Sequence, residues 1–385
     1  MIKECNVHEW LSTEKYLEEF SAKAERLRIP LSGSLELTNR CNLDCVHCYL
    51  GPQAKRKVPG AVEMSTARIL SLLDEITDAG CLNLLITGGD PLLRDDFPII
   101  YKHAKEKGLL VSVFTNGTLI TERVLDLFAD LPPLEVEISL YGATAKTYEK
   151  VTRVSGSYKR CIDGIRLLLD RNIKVNLKTV LMTINSHELD EMQDIARKFA
   201  VRFRFDAAIS PCIDGDKTPL SLRVPPEEAI KKEFSDSEKL QGWRKFYEKY
   251  KGWTLGSTLY ACGAGVTGFN IDPYGNLQPC ITTLDIRFDI SREGFMAGWQ
   301  EITQRISNKK VGADFICRGC EKINLCGYCP DFFRLEYGLD GFCSEYLCKM
   351  GNLRFQYIND NLWKGDHCEE RKRPRSQKTV RDTEA

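Results

Sequence analysis

The chain has 385 residues, of which 43% are hydrophobic and 28% are charged. This length and composition predict two domains with a sizeable buried core. Because 54 Lys and Arg balance 54 Asp and Glu, a basic module that binds nucleic acid or an anionic membrane is excluded. No stretch approaches the roughly 18 to 20 apolar residues of a membrane-spanning helix, and the first residues lack the apolar core of a secretory signal. We therefore expect a globular protein of the cytoplasm.

Cysteine is the unusual residue of this composition, with 16 in the chain. Eleven of them form two groups, the first near the start (Cys41, Cys45, Cys48) and the second near the end (Cys262, Cys280, Cys317, Cys320, Cys326, Cys329, Cys343, Cys348). In a reducing cytosol, closely spaced cysteines indicate metal binding or catalysis rather than disulfides. The interior cysteines with no cluster spacing are predicted to be small buried apolar side chains (Cys81, Cys161, Cys212), and Cys5 and Cys368 also lack such spacing.

Residues 31–210 alternate short β-rich runs with amphipathic helical stretches. Residues 1–30 predict a helical extension, with an amphipathic stretch from Glu14 to Leu27, and residues 31–210 predict six βα units. The expected fold class is α/β, a partial (β/α)6 TIM-type barrel. Its strands are predicted at residues 34–38, 82–87, 110–115, 134–140, 174–182 and 202–209. The first helix of the barrel should be capped by Ser65 or Thr66, present one apolar stripe, and end at Gly80.

Three further segments follow the predicted barrel. Residues 211–258 begin with several prolines and continue as a charged helical stretch, which indicates a helical bridge. Residues 259–350 are rich in Cys, Gly and turns and cannot build an ordinary core, so we expect metal clusters to hold this small domain together. A C-terminal helix is predicted from Tyr346 to Trp363, so residues 351–385 hold its end and a polar, disordered tail.

The first cysteine group has the spacing Cys41-x3-Cys45-x2-Cys48 and directly follows the first strand. Parallel α/β barrels place their chemistry in loops of this kind. Three thiolates can bind a four-iron cubane and leave one iron without a protein ligand, which provides an open position for chemistry. The alternative is a zinc site with His47 as the fourth ligand. It is disfavoured because His47 and Cys48 are adjacent, and adjacent residues rarely converge on one tetrahedral ion.

This loop resembles the radical S-adenosylmethionine (SAM) superfamily, with His47 at the family's aromatic position before the third cysteine. The resemblance implies a [4Fe-4S] cluster whose open iron binds the amino and carboxylate groups of SAM. It also implies reductive cleavage of SAM to a 5'-deoxyadenosyl radical that abstracts hydrogen from a substrate. Chemistry of this difficulty belongs to the cofactor, and the protein supplies placement and exclusion of water.

Other SAM contacts follow from the same resemblance. Gly88-Gly89-Asp90 after the second strand resembles the family's Gly-Gly-Glu motif, which pairs with the amino group of SAM. The resemblance assigns Ser139 to the ribose and Arg153 to the carboxylate of SAM. An ordinary turn and a solvent-exposed arginine are the alternative interpretations of Gly88–Asp90 and Arg153.

The second cysteine group indicates two four-thiolate sites. Cys262-x12-Gly275-x4-Cys280 encloses a predicted β-hairpin over residues 269–279, whose Gly-Asn turn would return Cys280 to Cys262. Cys317-x2-Cys320-x5-Cys326-x2-Cys329 comes next, followed by Cys343 and Cys348. A pair of zinc ribbons remains an alternative, because zinc also uses Cys-x2-Cys.

The arrangement resembles the SPASM domain, an auxiliary-cluster extension of radical SAM enzymes, with x2 in place of the commoner x3 between the last two closely spaced cysteines. It implies two auxiliary iron–sulfur clusters, both expected to be [4Fe-4S]. The nearer one would be bound by Cys262, Cys280 and Cys329, and the farther one by Cys317, Cys320, Cys326 and Cys348. Cys343 is left as the candidate fourth ligand of the nearer cluster.

Together these resemblances imply a maturase that crosslinks or oxidises a ribosomally made peptide or protein. An incomplete barrel is open at one side and would admit a peptide. The expected partners are that substrate, an electron donor such as flavodoxin or ferredoxin, and a separate peptide-recognition protein, because residues 1–30 are too short for a winged recognition domain. Ile281 stands where sulfatase maturases have an acidic residue. A radical SAM enzyme acting on a tetrapyrrole or cofactor, and a non-catalytic iron–sulfur or zinc module, remain alternatives.

Overall fold

A six-stranded parallel sheet forms the centre of the computed structural model, which describes residues 12–52, 62–339 and 342–370. The order in the sheet is β6-β5-β4-β3-β2-β1, and each neighbouring pair is parallel. The strands are β1 Ser32–Glu36, β2 Asn83–Thr87, β3 Leu110–Thr115, β4 Glu135–Ser139, β5 Val175–Val180 and β6 Arg202–Asp206. The predicted partial barrel is confirmed. Cys5, the side chain of Cys368 and the predicted tail from residue 371 lie outside the described residues.

Helices precede and separate these strands, at α1 Thr13–Leu27, α2 Thr66–Asp78, α3 Phe97–Glu106, α4 Glu122–Asp130, α5 Ala145–Thr152, α6 Ser157–Asp170 and α7 Leu189–Lys198. Helix α2 has the N-terminal cap and the buried apolar stripe that the sequence predicts. The Ser65 side chain accepts a hydrogen bond from the Arg68 amide, and the apolar stripe is buried (Ile69, Leu72, Leu73, Ile76). The helix ends at Asp78, and Gly80 follows with a φ of +98°, which glycine adopts without strain.

Three more strands extend the sheet beyond β1. Strand β7 (Gly268–Ile271) is parallel to β1, and β8 (Asn276–Gln278) and β9 (Phe288–Asp289) continue antiparallel. The predicted hairpin is therefore confirmed as β7–β8. Gly33 is needed at this junction, because a Cβ there would collide with the ring of Phe269. Helix α10 (Ile290–Asn308) follows β9.

The chain divides into two compact units that differ from the domains drawn from the sequence. The first comprises Met1–Val224, Gly256–Phe315 and Cys329–Phe342. In this division, residues 259–315 of the predicted auxiliary domain group with the barrel, together with residues 256–258 of the predicted bridge. The physical reason is that β7 takes its hydrogen-bond partners from β1. Helix α11 (Pro330–Tyr337) also belongs to this first unit.

The second unit comprises Pro225–Leu255, Ile316–Tyr328 and Cys343–Ala385. Its helices are α8 Pro226–Glu233, α9 Ser237–Tyr250 and α12 Glu345–Glu370, so the last helix continues seven residues past the predicted end at residue 363. Arg354 links them by pairing with Glu233 at 2.9 Å and stacking 4.6 Å from the ring centroid of Trp243. In the part of the chain that the structure describes, no helix is long and apolar enough to cross a membrane.

Candidate active site

The loop that carries Cys41, Cys45 and Cys48 follows β1 and is held by backbone hydrogen bonds. The amides of Asp44 and Val46 donate to the carbonyls of Thr152 and Val151, each over 3.0 Å. These carbonyls belong to the last turn of α5, where helical carbonyls lack partners within the helix. The end of α5 therefore fixes the middle of the cysteine loop.

The three thiols of this loop line one cavity of about 790 Å³ in the first unit. The Tyr141 phenol lies near them. Burial raises the pKa of this phenol, and the neighbouring Cys45, Cys48 and Cys41 also raise it. His47 lies edge-on to Tyr141, with ring centroids 4.7 Å apart. Burial lowers the pKa of His47 to about 4, so the imidazole is neutral at physiological pH.

The chemistry of these donors fits an iron–sulfur cluster. None of the three thiols forms a disulfide, and all three are partly accessible, as metal ligands need to be. Within the described ranges, no three Cys, His, Asp or Glu side chains converge on one metal-ion position. A single zinc ion requires such convergence, whereas a cubane distributes its ligands over separate corners. Three thiols would leave one iron of such a cubane without a protein ligand.

The backbone of Gly88 and Gly89 borders the same cavity after β2. A Cβ on Gly88 would collide with the carbonyl of Thr38, and one on Gly89 with the carbonyl of Arg40. Gly88 also has a φ of +130°, which side chains rarely adopt. The two glycines therefore allow the β2 loop to pack against the chain that leads into the cysteine loop.

Asp90 has a different environment from these glycines. Its carboxylate is fully buried, accepts hydrogen bonds from Thr115 Oγ1 and from the amides of Asn116 and Leu92, and does not line the cavity. Burial raises its pKa to about 6. The side chain thus joins the loops after β2 and β3. Its predicted pairing with the amino group of SAM stays a prediction that this geometry does not favour.

The two remaining predicted SAM contacts differ in position. Ser139 lines the cavity at the end of β4. Arg153 does not line it; its side chain is 57% exposed and lies 3.8 Å from Asp44 of the cysteine loop. The structure therefore brings Ser139 to the site with the three thiols, and places Arg153 on the outer side of the loop.

Residues 35–199 match the family described as the radical SAM superfamily. This stretch runs from β1 to the end of α7 and contains the cysteine loop, both cavity glycines and Ser139. The chain carries a radical SAM domain.

Relatives extend this similarity beyond the radical SAM domain. The chain is 26% identical over 315 residues to the PqqA peptide cyclase of Rhizobium meliloti, which covers 77% of this chain and 81% of that protein. It is 29% identical over 216 residues to the AdoMet-dependent heme synthase of Methanosarcina barkeri, covering 56% of this chain and 57% of that protein. In fold it is similar to Streptococcus suis SuiB bound to its precursor peptide SuiA, with a TM-score of 0.62, 17% identity, and 90% of this chain and 84% of that chain covered.

Part of the second cysteine group reaches the cavity of the radical SAM domain. Cys262 and Cys280 line this cavity together with the thiols of the first cysteine loop, although the two groups lie far apart in the sequence. Cys329 lies near them: burial, together with the neighbouring Asp331, Cys280 and Cys262, raises its pKa to about 12. The first unit thus contains a second set of three neighbouring thiols.

The other five cysteines of this group lie together in the second unit. Burial, together with nearby Cys343, Cys326 and Cys320, raises the pKa of Cys317 to about 12. The Cys348 thiol has a hydrogen-bond contact with Cys343. The contacts of Cys343 therefore favour a place beside Cys317 and Cys348 over its predicted role as the fourth ligand of the nearer cluster.

The cysteines without cluster spacing behave as predicted. Cys81, Cys161 and Cys212 are at most 3% exposed. Burial raises the pKa of the first two thiols to about 12, so they stay protonated at neutral pH. The prediction that they serve as small apolar side chains is confirmed.

Several polar residues on the strands, at or near the cavity, were not predicted from the sequence. Lys178 on β5 lines the cavity, and Glu137 on β4 lies 2.9 Å from its ammonium. On β1, Glu36 is buried and accepts a 2.6 Å hydrogen bond from Tyr49, another lining residue. The alternation of polar and apolar side chains along these strands could have identified them, because successive side chains of a strand point to opposite faces of the sheet.

Proposed function

We propose that this chain is a radical SAM maturase that crosslinks or oxidises a ribosomally made peptide or protein. The observation that carries the proposal is that two cysteine groups share one cavity. Cys41, Cys45 and Cys48 line it from the loop after β1, and Cys262 and Cys280 line it from the segment around the β7–β8 hairpin. A catalytic cluster and a cluster suited to accept an electron would thereby face the same substrate.

Within this cavity, the chain's own groups bind and orient the cofactor. The three thiolates would hold a [4Fe-4S] cluster, and the close approach of Gly88 and Gly89 leaves backbone groups exposed to SAM. Ser139 offers a hydroxyl at the end of β4 for the ribose. When bound, the cluster and SAM supply a 5'-deoxyadenosyl radical. The neutral His47 ring against Tyr141 excludes water from the thiols.

We further propose two auxiliary iron–sulfur clusters. The nearer one uses Cys262, Cys280 and Cys329, which neighbour one another in the first unit. The farther one uses the thiols that neighbour one another in the second unit, with Cys343 among the candidates (Cys317, Cys320, Cys326, Cys343, Cys348). Four thiolates are the usual ligand set of a [4Fe-4S] cluster.

The proposed partners follow from this chemistry and from the relatives. A peptide substrate is supported by the PqqA peptide cyclase and by the precursor peptide bound to SuiB. Strand β6 ends the described sheet, and its side chains alternate between exposed and partly buried, so an extended chain can approach this edge. A flavodoxin or ferredoxin would supply the electron, and a separate protein would recognise the peptide. Reduced thiols of this number suit the cytoplasm.

A radical SAM enzyme acting on a tetrapyrrole is the second candidate. The specific observation in its favour is the similarity to the AdoMet-dependent heme synthase of Methanosarcina barkeri. That match covers 56% of this chain, whereas the match to the PqqA peptide cyclase covers 77%. The larger coverage favours the peptide maturase.

The deciding experiment pairs the reconstituted enzyme with candidate substrates. The anaerobic protein is reduced with dithionite in the presence of SAM and incubated with small peptides encoded beside its gene, or with iron coproporphyrin. We expect 5'-deoxyadenosine together with a peptide that has lost two hydrogen atoms by mass spectrometry, and neither product from Cys45→Ala. Turnover of the porphyrin and of no peptide would establish the second candidate instead.

A further inference from the structure

Three charged side chains form a row across the neighbouring strands β4, β5 and β6: Glu137, Lys178 and Arg204. Lys178 Nζ lies 2.9 Å from Glu137 Oε1, and Arg204 donates two hydrogen bonds of 3.0 and 2.5 Å to the same carboxylate. The ammonium also lies 3.3 Å from the ring centroid of Phe114. These four residues come from the neighbouring strands β3, β4, β5 and β6.

Lys178 is the one Lys, Arg, Asp or Glu side chain among the described residues that line the cavity. The other ionisable residues of this lining are cysteines, tyrosines and His47. The Lys178 side chain is 23% exposed, so its ammonium is largely removed from water. A substrate at this part of the wall therefore meets one cationic side chain, apart from the clusters that the thiolates would bind.

The charges of the row do not cancel. Burial raises the pKa of Glu137, but the hydrogen bond from Arg204 and the charge of Lys178 outweigh it and hold that pKa below its usual range. Two cations therefore share one carboxylate, which leaves a net charge of one positive unit. Glu137 also accepts two hydrogen bonds from Arg204, whose side chain is 59% exposed, so the largely buried ammonium of Lys178 shares its carboxylate partner. An anion in the cavity would add a second partner for this ammonium.

The position of the ammonium separates it from the SAM-binding loops. The Cα of Lys178 pairs with Ser139, at the carboxyl end of β4. Its ammonium contacts Glu137 and Phe114, which pair with each other in the sheet. Glu137 lies two residues before Ser139, so this contact is nearer the amino ends of the strands than the Cα of Lys178. The cysteine loop and the two glycines follow the opposite, carboxyl ends of β1 and β2. The ammonium of Lys178 thus lies nearer the amino ends of the strands than Ser139, the proposed ribose contact, on the part of the wall that we call the floor of the cavity.

Resting on the proposed function, we propose that Lys178 binds a carboxylate of the substrate peptide at the floor of the cavity. The carboxylate belongs either to an acidic side chain or to the carboxyl terminus of the peptide. Lys178 is a positioning residue in this role: it orients the peptide and leaves SAM cleavage to the cluster. Phe114 and Glu137 hold the ammonium in place, since the ring and the carboxylate contact it from two sides.

The test measures carboxylate selectivity with small probes on the holoenzyme loaded with oxidised clusters and SAM. One pair is N-acetylglutamate N-methylamide against N-acetylglutamine N-methylamide, and the other is N-acetylalanine against N-acetylalaninamide. Dissociation constants come from anaerobic ligand-observed NMR titration. We expect at least one carboxylate to bind about fivefold more tightly than its amide. The pair that shows this preference identifies the source of the carboxylate.

Variants assign this selectivity to Lys178. In Lys178→Met the ratio should fall to about one, and in Lys178→Arg most of it should remain. Lys174→Met is the matched control, because Lys174 pairs with Glu135 of β4 at 3.3 Å but does not line the cavity. An unchanged ratio in Lys178→Met would overturn the proposal. So would a loss of SAM affinity in Lys178→Met that is absent from Lys174→Met, since the ammonium would then serve SAM.

A measurement on the unsubstituted holoenzyme covers the case in which Lys178→Met fails to fold. Acetylation of Lys178 by N-hydroxysuccinimidyl acetate is followed by mass spectrometry, with Lys174 as the internal reference. The preferred carboxylate should slow acetylation at Lys178 severalfold, and its amide should not. Equal rates with both probes would overturn the proposal.

The two proposals fail separately. Carboxylate selectivity that depends on Lys178, combined with turnover of a porphyrin and no peptide, would refute the maturase and keep the carboxylate site. A modified peptide combined with no carboxylate selectivity would refute the carboxylate site and keep the maturase.

Discussion

Thr115 Oγ1 donates a 2.8 Å hydrogen bond to Asp90 Oδ2 and so joins the loops that follow β2 and β3. The adjacent Asn116 donates its backbone amide to the same oxygen and turns its side chain to the Cys41 sulfur, 3.7 Å away. One buried carboxylate thus connects the glycine loop with a residue that contacts the cluster ligands. We propose that Asp90 acts on the SAM site through these loops.

Replacing Asp90 by Asn should change how stability depends on pH. Because the folded pKa of Asp90 is raised to about 6, its ionisation disfavours the folded state, and stability is lost as pH rises from about 4 through about 6. Asn does not ionise. Its one side-chain oxygen can still accept from Thr115 and Asn116, whereas the acceptor for the Leu92 amide is lost at every pH. We expect Asp90→Asn to gain about 2 kcal/mol relative to the parent between pH 4 and pH 8. The measurement is anaerobic urea unfolding followed by circular dichroism.

Asp96→Asn is the control of opposite sign. Its hydrogen bond from Arg94 lowers the pKa of Asp96 to about 2, so ionised Asp96 stabilises the fold at every pH above about 4. This variant should be destabilised throughout that range. An Asp90→Asn variant that lost stability at pH 8 in the same way would show that the charge, and not the acceptor, holds the two loops.

Cleavage of SAM should depend on each thiol of the first loop. We expect Cys41→Ala, Cys45→Ala and Cys48→Ala to abolish 5'-deoxyadenosine formation while keeping the fold and most of the bound iron, because each removes a ligand of the one cluster that binds SAM. The product is quantified by chromatography after anaerobic reduction. Cys161→Ala is the matched control, since this buried thiol of α6 does not itself line the cavity. Cleavage that persisted in all three loop variants would refute the assignment.

The iron content should match three cubanes. Anaerobic reconstitution should give about twelve irons and about twelve sulfides per chain, the sum for the first loop and two auxiliary sites. The measurement is elemental analysis combined with Mössbauer spectroscopy. Tightly bound zinc with little iron would support the structural zinc sites instead.

Cys320→Ala should separate SAM cleavage from product formation. Its thiol belongs to the group in the second unit, so its loss leaves the cavity and the first cysteine loop intact. We expect some uncoupled 5'-deoxyadenosine and no modified peptide. Deoxyadenosine and peptide product are counted in parallel, with Cys45→Ala as the variant that should yield neither.

Cys343→Ala should have a milder effect than Cys320→Ala. Five thiols neighbour one another in this unit, and four complete the ligand set of a cubane. The SPASM resemblance gives those four places to Cys317, Cys320, Cys326 and Cys348, so Cys343 is the thiol left over. Product formation at the parent rate in a soluble Cys320→Ala would refute the proposed role of the farther cluster. A complete loss of product in Cys343→Ala would instead make Cys343 a required ligand.

Local patterns were sufficient for much of this protein. The cysteine spacing identified the radical SAM loop, the alternation of strands and helices predicted six parallel strands, and Ser65 marked the start of α2. Each of these depends on residues close together in the chain. Backbone geometry and capping act over a few residues, and this is why the sequence alone was enough.

Tertiary structure decided which distant groups meet. Strand β7 pairs with β1 across more than 200 residues of chain, and this pairing brings residues 256–315 into the barrel unit. Asp90 and Arg153 match family positions in sequence, yet one is buried against Thr115 and the other lies beside Asp44. Lys178 carries no motif at all. Its position on the cavity floor follows from strand register, which hydrogen bonds between separate segments set and local sequence does not encode.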